Sequence, residues 1–516
     1  MRIPIRSDQG MRRRDISVSC RRRCRLRRLN PSGCHMSEAL LAAYLKIPAI
    51  KLLYYRHKSI LEISMKKICV AKFGGSSVAN YEVMQNCANV VLSNEQTHIV
   101  VLSASAGITN LLVDLSKGTL SEEKREETIK KIIDVQENIL EGLGRPQALV
   151  DEIYRHIDYI RSLAHEATLE TNAALVDRIV SNGELMSTKL FTELLKQRGV
   201  NAVWFDVRKV MRTDSNYGKA APIVEVIRTL AQNELVALSQ DSIVVTQGFI
   251  GANADGLTTT LGRGGSDFSA ALIGEAVDAS AIEIWTDVPG IYTTDPRLVS
   301  TAHPIPELTF EEAAEMATFG AKVLHPATIQ PAVRRNIPVF VGSSKNPRAG
   351  GTWIRTETQT QPTFRAVAMR KDQVLLTLKS FSMIGACGFM ATVFGIFAKH
   401  GLSVDLVTTS EVTVAVTIDN GFSGGSSDGK SLLSEGLLRD LRQVCNVEVE
   451  EDLTLIAIIG NKMSYKTGTG SKVFSAIFDV NVRMISYGAS SHGLCFLVDS
   501  KDGDEVIKRL HVHLLD

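Results

Sequence analysis

A lysine followed by two glycines and two serines carries the first chemical signal in this chain. The segment Lys72-Phe73-Gly74-Gly75-Ser76-Ser77-Val78 follows an apolar run at residues 68–71. The lysine supplies a fixed positive charge, the glycines let the backbone approach an anion, and the hydroxyls can bond its oxygens. Because the lysine precedes the glycines, the order differs from that of the P-loop, and G-x-G-x-x-G is absent as well. The segment predicts phosphate binding in another nucleotide fold, with an ordinary tight turn as the alternative.

Two further segments combine glycines with charged side chains. In Thr258-Thr259-Thr260-Leu261-Gly262-Arg263-Gly264-Gly265-Ser266-Asp267, open backbone N–H groups precede a helical pattern at 268–277, and the arginine offers a planar fork for a carboxylate or phosphate. In Trp285-Thr286-Asp287-Val288-Pro289-Gly290-Ile291-Tyr292-Thr293-Thr294-Asp295-Pro296-Arg297, a strand pattern breaks into a Pro/Gly turn. Loops of this kind, at the carboxyl ends of strands, are where open α/β sheets bind nucleotides.

These three segments resemble the signatures of the amino-acid kinase superfamily, and within it those of the aspartokinases. The resemblance runs from about Met65 to the C-terminus. Residues 204–208 and 487–492 are most similar to the monofunctional, lysine-sensitive bacterial type. Three more motifs match in the expected order: Ser103-Ala104-Ser105-Ala106-Gly107-Ile108-Thr109-Asn110, Ser181-Asn182-Gly183-Glu184-Leu185-Met186-Ser187 and Phe319-Gly320-Ala321-Lys322-Val323-Leu324-His325-Pro326.

The resemblance implies that the chain transfers a phosphoryl group from ATP, bound with Mg²⁺, to the side-chain carboxylate of L-aspartate. The product would be 4-phospho-L-aspartate, at the start of the pathway to lysine, threonine and methionine. It also implies inhibition by L-lysine through ACT domains, a cytoplasmic location and a homo-oligomer formed through those domains, either a dimer or a tetramer. No nucleic-acid or membrane partner is expected.

Three alternatives to this activity stay open. A bifunctional aspartokinase–homoserine dehydrogenase is disfavoured because no dinucleotide fingerprint follows the second regulatory unit. Another amino-acid kinase, such as a glutamate kinase, would lack the Ser-Asn-Gly-Glu helix and the pair of ACT units. A catalytically inactive amino-acid sensor is disfavoured by the intact Lys72, Arg263 and Asp267.

Phosphoryl transfer needs positioning and charge neutralisation more than covalent chemistry. Lys72 is predicted to bridge the transferring phosphoryl group, with a solvated lysine at a strand end as the alternative. The resemblance implies that Asp267 organises this lysine and the metal-bound phosphates; a plain helix cap is its alternative. Neither residue need act as a base, because a carboxylate nucleophile is already ionised at neutral pH. Mg²⁺ is expected to arrive with ATP and not to occupy a direct protein cage.

The remaining site residues follow from the matched motifs. For the dicarboxylate acceptor they are Arg263 and Ser266 for carboxylate groups, Thr109 for a hydroxyl donor, and Glu184 for the α-ammonium group. A solvated helix face is the alternative for Glu184. The residues expected on the ATP side are Lys72, Gly74, Gly75, Ser76, Thr286, Asp287, Tyr292, Arg297, Lys322 and Val323. No catalytic role is assigned to His325.

The lysine effector carries two ammonium groups and one carboxylate, so its site needs acidic side chains and open N–H groups. The resemblance implies the following residues: Met383, Ser403, Val404, Asp405, Thr409, Ser410 and Glu411. Solvated polar loops are their alternative. Gly385 and Ala386 stand where the lysine-sensitive type has a histidine and a serine, so the resemblance does not fix the affinity for lysine.

Alternating strand and helix patterns must position the kinase residues. Strands are predicted at 67–73, 97–102, 202–206, 242–248, 281–286 and 338–341, and long helices over 119–198, one of which spans 179–196 and carries Glu184. This alternation predicts an α/β fold, an αβα sandwich around a mostly parallel sheet. The catalytic domain is assigned to residues 65–345.

An internal repeat follows a Pro/Gly-rich joint. Residues 393–419 align without gaps on residues 473–499, and each copy reads as a helix followed by two alternating strands. Two such units predict ferredoxin-like (βαββαβ) modules, which the resemblance identifies as ACT domains. The boundaries are set at 346–370 for a linker, 371–452 for the first ACT domain and 453–516 for the second, with a Gly/Ser-rich loop at 421–431.

Composition agrees with a globular enzyme of about three domains. Of the 516 residues, 44% are hydrophobic and 22% are charged, and no uncharged apolar run reaches the length of a membrane span. The eight cysteines (20, 24, 34, 69, 87, 387, 445 and 495) are scattered, which favours free thiols in a reducing cytoplasm over disulfides. The three near the N-terminus match no familiar zinc spacing.

The net charge of +2 hides a basic N-terminal segment. Residues 1–64 hold 15 Lys/Arg and 4 Asp/Glu, a charge of +11, which leaves −9 for residues 65–516. An arginine-rich, acid-poor stretch of this kind could bind nucleic acid or serve as a transit peptide. The favoured interpretation is a translated leader upstream of the true start at Met65, disordered or loosely helical and without a part in catalysis.

Overall fold

The computed structural model describes residues 67–320, 326–384, 387–419 and 433–516. Several predictions concern residues outside these ranges: the character of residues 1–64, the loop at 421–431, the roles of Lys322, Val323 and His325, and the effect of Gly385 and Ala386. The described residues from 67 onwards belong to one compact unit.

A mostly parallel sheet of eight strands forms the centre of the first half. Its order is β3-β4-β2-β1-β7-β9-β10-β8, and neighbouring strands are parallel except for β9 with β10. All six predicted strands are present to within two residues at each end, and a separate β5–β6 hairpin was not predicted. The strands are β1 (Cys69–Phe73), β2 (Thr97–Leu102), β3 (Ala202–Phe205), β4 (Ile243–Gln247), β5 (Ile250–Ala252), β6 (Thr258–Thr260), β7 (Ala281–Thr286), β8 (Glu307–Thr309), β9 (Val339–Ser343) and β10 (Gly351–Arg355).

Helices cover both faces of this sheet, as the αβα prediction requires. Successive strand residues point to opposite faces, so Val70 packs in one apolar core and Ala71 in the other. Both faces of the central strands are buried, which explains why these strands are mainly apolar. The helices are α1 (Tyr81–Ser93), α2 (Ile108–Ser116), α3 (Glu122–Gly142), α4 (Gln147–Leu169), α5 (Ala173–Val180), α6 (Asn182–Gln197), α7 (Val224–Ser239), α8 (Gly265–Ala276), α9 (Phe310–Thr318) and α10 (Pro326–Arg335).

The predicted helix over 179–196 is divided at Ser181, between α5 and α6. The Asn182 side chain donates to the carbonyl oxygens of Arg178 at 2.8 Å and Ile179 at 3.2 Å, which satisfies acceptors at the end of α5. A β-carbon at Gly183 would lie 2.6 Å from the β-carbon of Ala104, so only glycine allows this approach. The Ser-Asn-Gly-Glu sequence thus packs α6 against the loop that follows β2.

The internal repeat is confirmed in the second half of the chain. The first copy contains α11 (Phe389–Lys399), β12 (Val407–Thr409) and β13 (Thr413–Asp419), followed by α12 (Glu435–Arg442). The second contains α13 (Thr469–Ser475), β15 (Met484–Tyr487), β16 (Gly493–Asp499) and α14 (Ser500–Leu514). Val393 and Val473, eighty positions apart, are both fully buried in the cores of their copies.

Two long strands join the copies into one six-stranded sheet. Strands β11 (Ala366–Lys379) and β14 (Asn446–Ile459) pair with each other in the order β12-β13-β11-β14-β16-β15. The register of this pair shifts between Arg370 and Leu375, and the strand segments on the two sides of the shift face different copies. Each ferredoxin-like module therefore takes one half of each long strand.

This sharing corrects the predicted linker at 346–370. Residues 366–370 form the first part of β11, paired with residues 455–459 of the second copy. Residues 351–355 form β10, which extends the sheet of the first half. The sequence patterns missed both because a short strand beside a Pro/Gly joint carries little periodicity of its own.

Among the described residues, no helix is both long and apolar enough to cross a membrane.

Candidate active site

A cleft of about 400 Å³ opens beside the carboxyl end of β1 and the start of α8. It brings together all six residues predicted to be catalytic or to bind the acceptor, although they lie far apart in the sequence. The residues that line it are Lys72, Ser103, Thr109, Glu184, Phe249, Gly262, Arg263, Gly264, Gly265, Ser266 and Asp267.

Lys72 and Asp267 form an ion pair at the bottom of this cleft. The lysine Nζ lies 2.5 Å from Oδ1 of the aspartate, and the two side chains are only 10% and 17% exposed. Lys72 comes from the central strand β1, and Asp267 comes from the first turn of α8, where the helix dipole stabilises a negative charge. Charges held by a strand and a helix in the core are fixed before any substrate binds.

Three glycines shape the loop that carries Arg263 and Ser266. Gly262 and Gly264 have φ of +78° and +72°, a region that side chains rarely adopt. A β-carbon at Gly248, just after β4, would lie 2.6 Å from the β-carbon of Ser266. The loop is therefore pressed against the end of the sheet, with the exposed Arg263 side chain at the cleft.

Glu184 is a cleft acid whose pKa is strongly raised. It is 3% exposed, and its Oε1 accepts a hydrogen bond from the backbone N–H of Ala104 at 3.1 Å. Its Oε2 has no hydrogen-bond partner among the described residues. Burial raises the pKa of Glu184 to about 8, and the bond from Ala104 lowers it only in part. An unpartnered buried carboxylate oxygen in a cleft is suited to a cationic group of a ligand.

The hydroxyl donors come from the segment after β2. Gly107, with φ of +82°, precedes α2, and Thr109 is the second residue of that helix. Thr109 and Ser103 are both half-buried at the cleft.

The segments predicted to bind ATP meet at the carboxyl edge of neighbouring parallel strands. The backbone N–H of Gly74 donates to the carbonyl of Trp285 at 3.3 Å, which joins the glycine turn after β1 to the end of β7. Ser344, after β9, bonds both Ser77, Oγ to Oγ at 2.6 Å, and the carbonyl of Thr286 at 3.0 Å. Gly75 approaches the next loop closely, since a β-carbon there would lie 2.8 Å from the carbonyl oxygen of Ala104. Ser76 and Asp287 are exposed at this edge.

Two of the predicted ATP residues have other surroundings. The Arg297 guanidinium pairs with Asp295 at 2.6 Å, and its side chain is 86% exposed. Tyr292 is half-buried and forms a bridge with Pro304. Neither belongs to the described residues that line the cleft. Their assignment to ATP therefore rests on the matched motif alone.

Sequence reasoning did not select Phe249 and Ser103, which also line the cleft. Phe249 has φ of +70°, which for a bulky residue is strained by about 1–2 kcal/mol. Its backbone N–H donates to Oγ of Ser269 at 3.0 Å. The Gly-Phe pair at the end of the predicted strand 242–248 was the available signal, because glycine there permits the close approach of Ser266.

The predicted effector residues surround strand β12 of the first ferredoxin-like module. Met383 ends a short 3-10 turn that is tied to the β12–β13 turn by a bond from Ser380 N–H to the Val412 carbonyl at 2.9 Å. Glu411 is exposed in that turn, and Val404 is half-buried on the other side of the strand. The remaining predicted effector residues, Ser403, Thr409 and Ser410, are exposed.

Asp405 differs from Glu411 because its carboxylate forms an ion pair with Arg370 of β11. Arg370 also donates to the carbonyl of Thr318 at the end of α9, at 3.2 Å. A ligand ammonium would have to share Asp405 with this guanidinium or displace it. Asp405 precedes β12 and Glu411 follows it, so the two acids lie beyond opposite ends of this strand.

Family comparisons agree with the two halves of the fold. A sequence model described as Amino acid kinase family matches residues 67–343, and one described as ACT domain matches residues 456–514. Lysine-sensitive aspartokinase 3 of Escherichia coli (strain K12) is 54% identical over 452 residues, which are 88% of this chain and 100% of that protein. Aspartokinase 3, chloroplastic, of Arabidopsis thaliana is 34% identical, with 86% of this chain and 81% of that protein covered.

Solved structures give the same result. The crystal structure of E. coli aspartokinase III in complex with aspartate and ADP, in the R-state, has a TM-score of 0.80 at 54% identity. Its complex with lysine and aspartate, in the T-state, has a TM-score of 0.74 at 55% identity. Both comparisons cover 87% of this chain and 100% of the other. With the family model matched over residues 67–343, this chain belongs to the amino acid kinase family, and within it to the aspartokinases.

Proposed function

We propose that the cleft around Lys72 carries out the aspartokinase reaction, in which the γ-phosphoryl group of ATP is transferred to the side-chain carboxylate of L-aspartate. One oxygen of that carboxylate bonds to the γ-phosphorus while the bond to the bridging oxygen of ADP breaks. The observation that carries this proposal is the Lys72–Asp267 pair in one cleft with Glu184 and Arg263. These groups supply one cation for phosphate and a cation and an anion for an amino acid.

In this reaction Lys72 neutralises charge that develops on the transferring phosphoryl group. The acceptor carboxylate is ionised near neutral pH, so no general base is needed. Asp267 holds the lysine ammonium in place at 2.5 Å. The turn after β1 approaches the phosphates with Gly74 and Gly75, and a side chain at Gly75 would crowd the carbonyl oxygen of Ala104 in the neighbouring loop.

Magnesium is proposed to enter with the nucleotide. Among the described residues, no group of three His, Cys, Asp or Glu side chains is arranged to hold a metal ion. Mg²⁺ is commonly held by substrate phosphates and one or two carboxylates, and Asp267 is the cleft carboxylate that could contribute. When bound, the ion would shield the negative charge of the phosphates.

Side chains of opposite charge bind the ammonium and carboxylate groups of the acceptor. Glu184 takes the α-ammonium group of aspartate, because its buried Oε2 has no hydrogen-bond partner within the described part of the chain. Arg263 binds a carboxylate through two parallel N–H donors, and Ser266 and Thr109 add hydroxyl contacts.

The overall proposal is tested by ADP release in the presence of aspartate, glutamate or no acceptor. Release that depends on aspartate supports it; equal release with glutamate favours another amino-acid kinase, and no release favours an amino-acid sensor.

Replacing Arg263 by lysine is expected to raise the KM for aspartate by about 10-fold or more. Lysine keeps the charge but loses the bidentate fork, and a charge-assisted hydrogen bond contributes roughly 1.5–3 kcal/mol. The KM for ATP should change by about 2-fold or less. Steady-state kinetics with each substrate varied in turn separates the two effects. An equal loss for both substrates would assign Arg263 to the phosphates instead.

Regulation is proposed to use the ferredoxin-like modules as a lysine site and as the contact between chains. Support comes from the acidic Asp405 and Glu411 at opposite ends of β12, and from a relative named lysine-sensitive. The separation of the two acids favours a site completed by a second chain, which would make a dimer, or a tetramer built from it, the regulated form. Unpaired cysteines among the described residues fit the proposed cytoplasmic location.

Replacing Glu411 by alanine is expected to raise the lysine concentration for half-inhibition by about 10-fold, since a charge-assisted contact is lost. Uninhibited kcat should stay within about 2-fold, because Glu411 lies far from the cleft residues in sequence and in a separate sheet. Glu451→Ala, another exposed glutamate of the same sheet, is the matched control. Initial rates against lysine and threonine provide the measurement. Unchanged lysine sensitivity, or strong inhibition by threonine, would contradict the proposed site.

A further inference from the structure

A buried carboxylate outside the cleft connects the segments that carry the acceptor-binding residues. Asp177 lies on α5, is 1% exposed, and is not among the described residues lining the cleft. Its Oδ2 accepts hydrogen bonds from the backbone N–H groups of Gly218 at 3.0 Å and Thr260 at 2.8 Å. Its Oδ1 accepts one from Oγ1 of Thr260 at 2.8 Å. Burial raises the pKa of Asp177 even so, because desolvation outweighs these bonds.

The donors to Asp177 lie directly beneath the Arg263 loop. Thr260 is the last residue of β6, three positions before Arg263. The Ala220 N–H donates to the carbonyl of Thr260 at 2.9 Å, so the 218–220 segment runs alongside it. A β-carbon at Gly262 would lie 3.1 Å from the carbonyl oxygen of Gly218. Fixing Gly218 and Thr260 therefore fixes the base of the loop from two sides.

The helix that carries Asp177 is also tied to the other acceptor residues. α5 ends one residue before α6, the helix of Glu184, and the Asn182 side chain joins the two. On its apolar side, Leu175 and Ile179 share a core with Ile108 of α2, the helix of Thr109. Asp177 thus lies where the helices that carry Glu184 and Thr109 meet the segment that carries Arg263.

We propose that Asp177 is a positioning residue for the acceptor: it sets the distance between the Arg263 guanidinium and the Glu184 carboxylate. This inference rests on the proposed function, since it assigns those two groups to aspartate. Two groups that bind opposite ends of one small molecule must be held at a fixed separation, and misplacement of about 1 Å can cost up to 10²-fold in rate. Within the described residues, no hydrogen bond connects Asp177 to the nucleotide side, which is built on β1, β7 and β9.

The hydrogen-bond geometry allows a sharp distinction between shape and charge. An asparagine at 177 can accept both N–H bonds through its carbonyl oxygen and donate from its amide to Oγ1 of Thr260, because a hydroxyl is both donor and acceptor. Alanine loses all three bonds and leaves the buried N–H of Thr260 without its acceptor. If Asp177 acts by position alone, asparagine should restore most of what alanine removes.

The test compares Asp177→Ala, Asp177→Asn and Thr260→Val in the full chain. We expect the alanine variant to raise the KM for aspartate by about 10-fold or more, with the KM for ATP and the kcat at saturating aspartate within about 3-fold of wild type. Asparagine should return the KM for aspartate to within about 3-fold. Thr260→Val, which keeps both N–H bonds and loses the hydroxyl, should give an intermediate rise. Asp151→Ala, an exposed aspartate on α4, is the control.

Equal changes in both KM values, or an asparagine variant as impaired as alanine, would overturn the positioning role. If the alanine variant does not fold, Thr260→Val decides: an unchanged KM for aspartate would overturn the proposal. Wild type is the reference for the proposed function itself. A wild type without aspartate-dependent ADP release contradicts that function, whereas an active wild type with an unselective Asp177→Ala variant contradicts only the inference on Asp177.

Discussion

Replacing Lys72 by alanine is expected to lower kcat by about 10²-fold or more while the protein stays folded. A preorganised charge aimed at the transition state typically contributes about 3–4 kcal/mol, and Lys72 is held for that purpose by Asp267. The KM for aspartate should change far less, since other residues are proposed to bind the acceptor. Single-turnover rates and the melting temperature are measured together. Lys67→Ala, an exposed lysine just before β1, is the matched control.

The same reasoning applies to Asp267, whose replacement by alanine should lower kcat to a similar degree. Because the two residues act as a pair, the double variant should be only slightly slower than either single variant. Multiplied losses would mean that lysine and aspartate act independently, and near-normal turnover in either single variant would remove it from the catalytic assignment. Asp114→Ala is the control, since Asp114 also pairs with a lysine but on the exposed surface.

Much of the fold could be predicted because its signals are local. The runs that became β1, β2 and β7 are mainly apolar, as is typical of strands buried on both faces. The repeat was visible because equivalent buried positions recur at a constant spacing, as Val393 and Val473 do. The short strands β8 and β10 were missed, since three to five residues give too little periodicity to distinguish a strand from a loop.

Among the residues of the candidate site, some also have a local sequence signal and others have none. Lys72, Arg263 and Asp267 lie beside glycines, whose positions indicate a close approach of the backbone to a ligand. The structure brings these three residues into one cleft with Glu184. Asp177 gave no such signal, because an aspartate in an amphipathic helix normally faces solvent. Its partner Thr260 is 83 residues away in the sequence, and only the folded chain reveals the contact.

Contacts within the chain also explain why the matched motifs were less informative for some residues. The sequence marks Asp405 as an acid in a polar loop, yet it cannot show that Arg370 reaches it from a strand of the same sheet. Tyr292 and Arg297 follow a strand end as expected, but neither is among the described residues that line the cleft, and Arg297 pairs with Asp295. In each case a contact within the chain competes with the ligand contact that the residue type suggests.

Glu184 links substrate binding to pH. In the free protein its pKa is raised to about 8 by burial, so most molecules carry a neutral acid at pH 7. An aspartate α-ammonium binds the ionised form, and the resulting pair favours loss of the proton. We therefore expect kcat/KM for aspartate to rise about 10-fold per pH unit between pH 6 and 7.5 and to level off above pH 8, because this ratio reports ionisation of the free enzyme. At saturating aspartate, kcat/KM for ATP should not share this rise.

Replacing Glu184 by glutamine should remove this slope and lower kcat/KM for aspartate at pH 8.5 by roughly 10-fold to 100-fold, the value of a charge-assisted contact. Glutamine keeps the shape and can still accept the bond from Ala104. Glu275→Gln is the control, because Glu275 is also buried but pairs with Arg334 at the other end of α8. A slope that persists in Glu184→Gln would assign the pH dependence to another group.

A separate stability measurement excludes a merely structural role for Glu184. The unfolded chain loses this proton above a pH of about 4.5, whereas the folded chain keeps it up to about 8. Over that interval Glu184 binds more protons in the folded state, so its contribution to the free energy of unfolding falls as pH rises and becomes constant above pH 8. The glutamine variant lacks this contribution and should be at least as stable as the wild type at pH 8.5. A variant that is more stable and yet binds aspartate poorly would identify Glu184 as a residue kept for its ligand, at a cost to the fold that carries it.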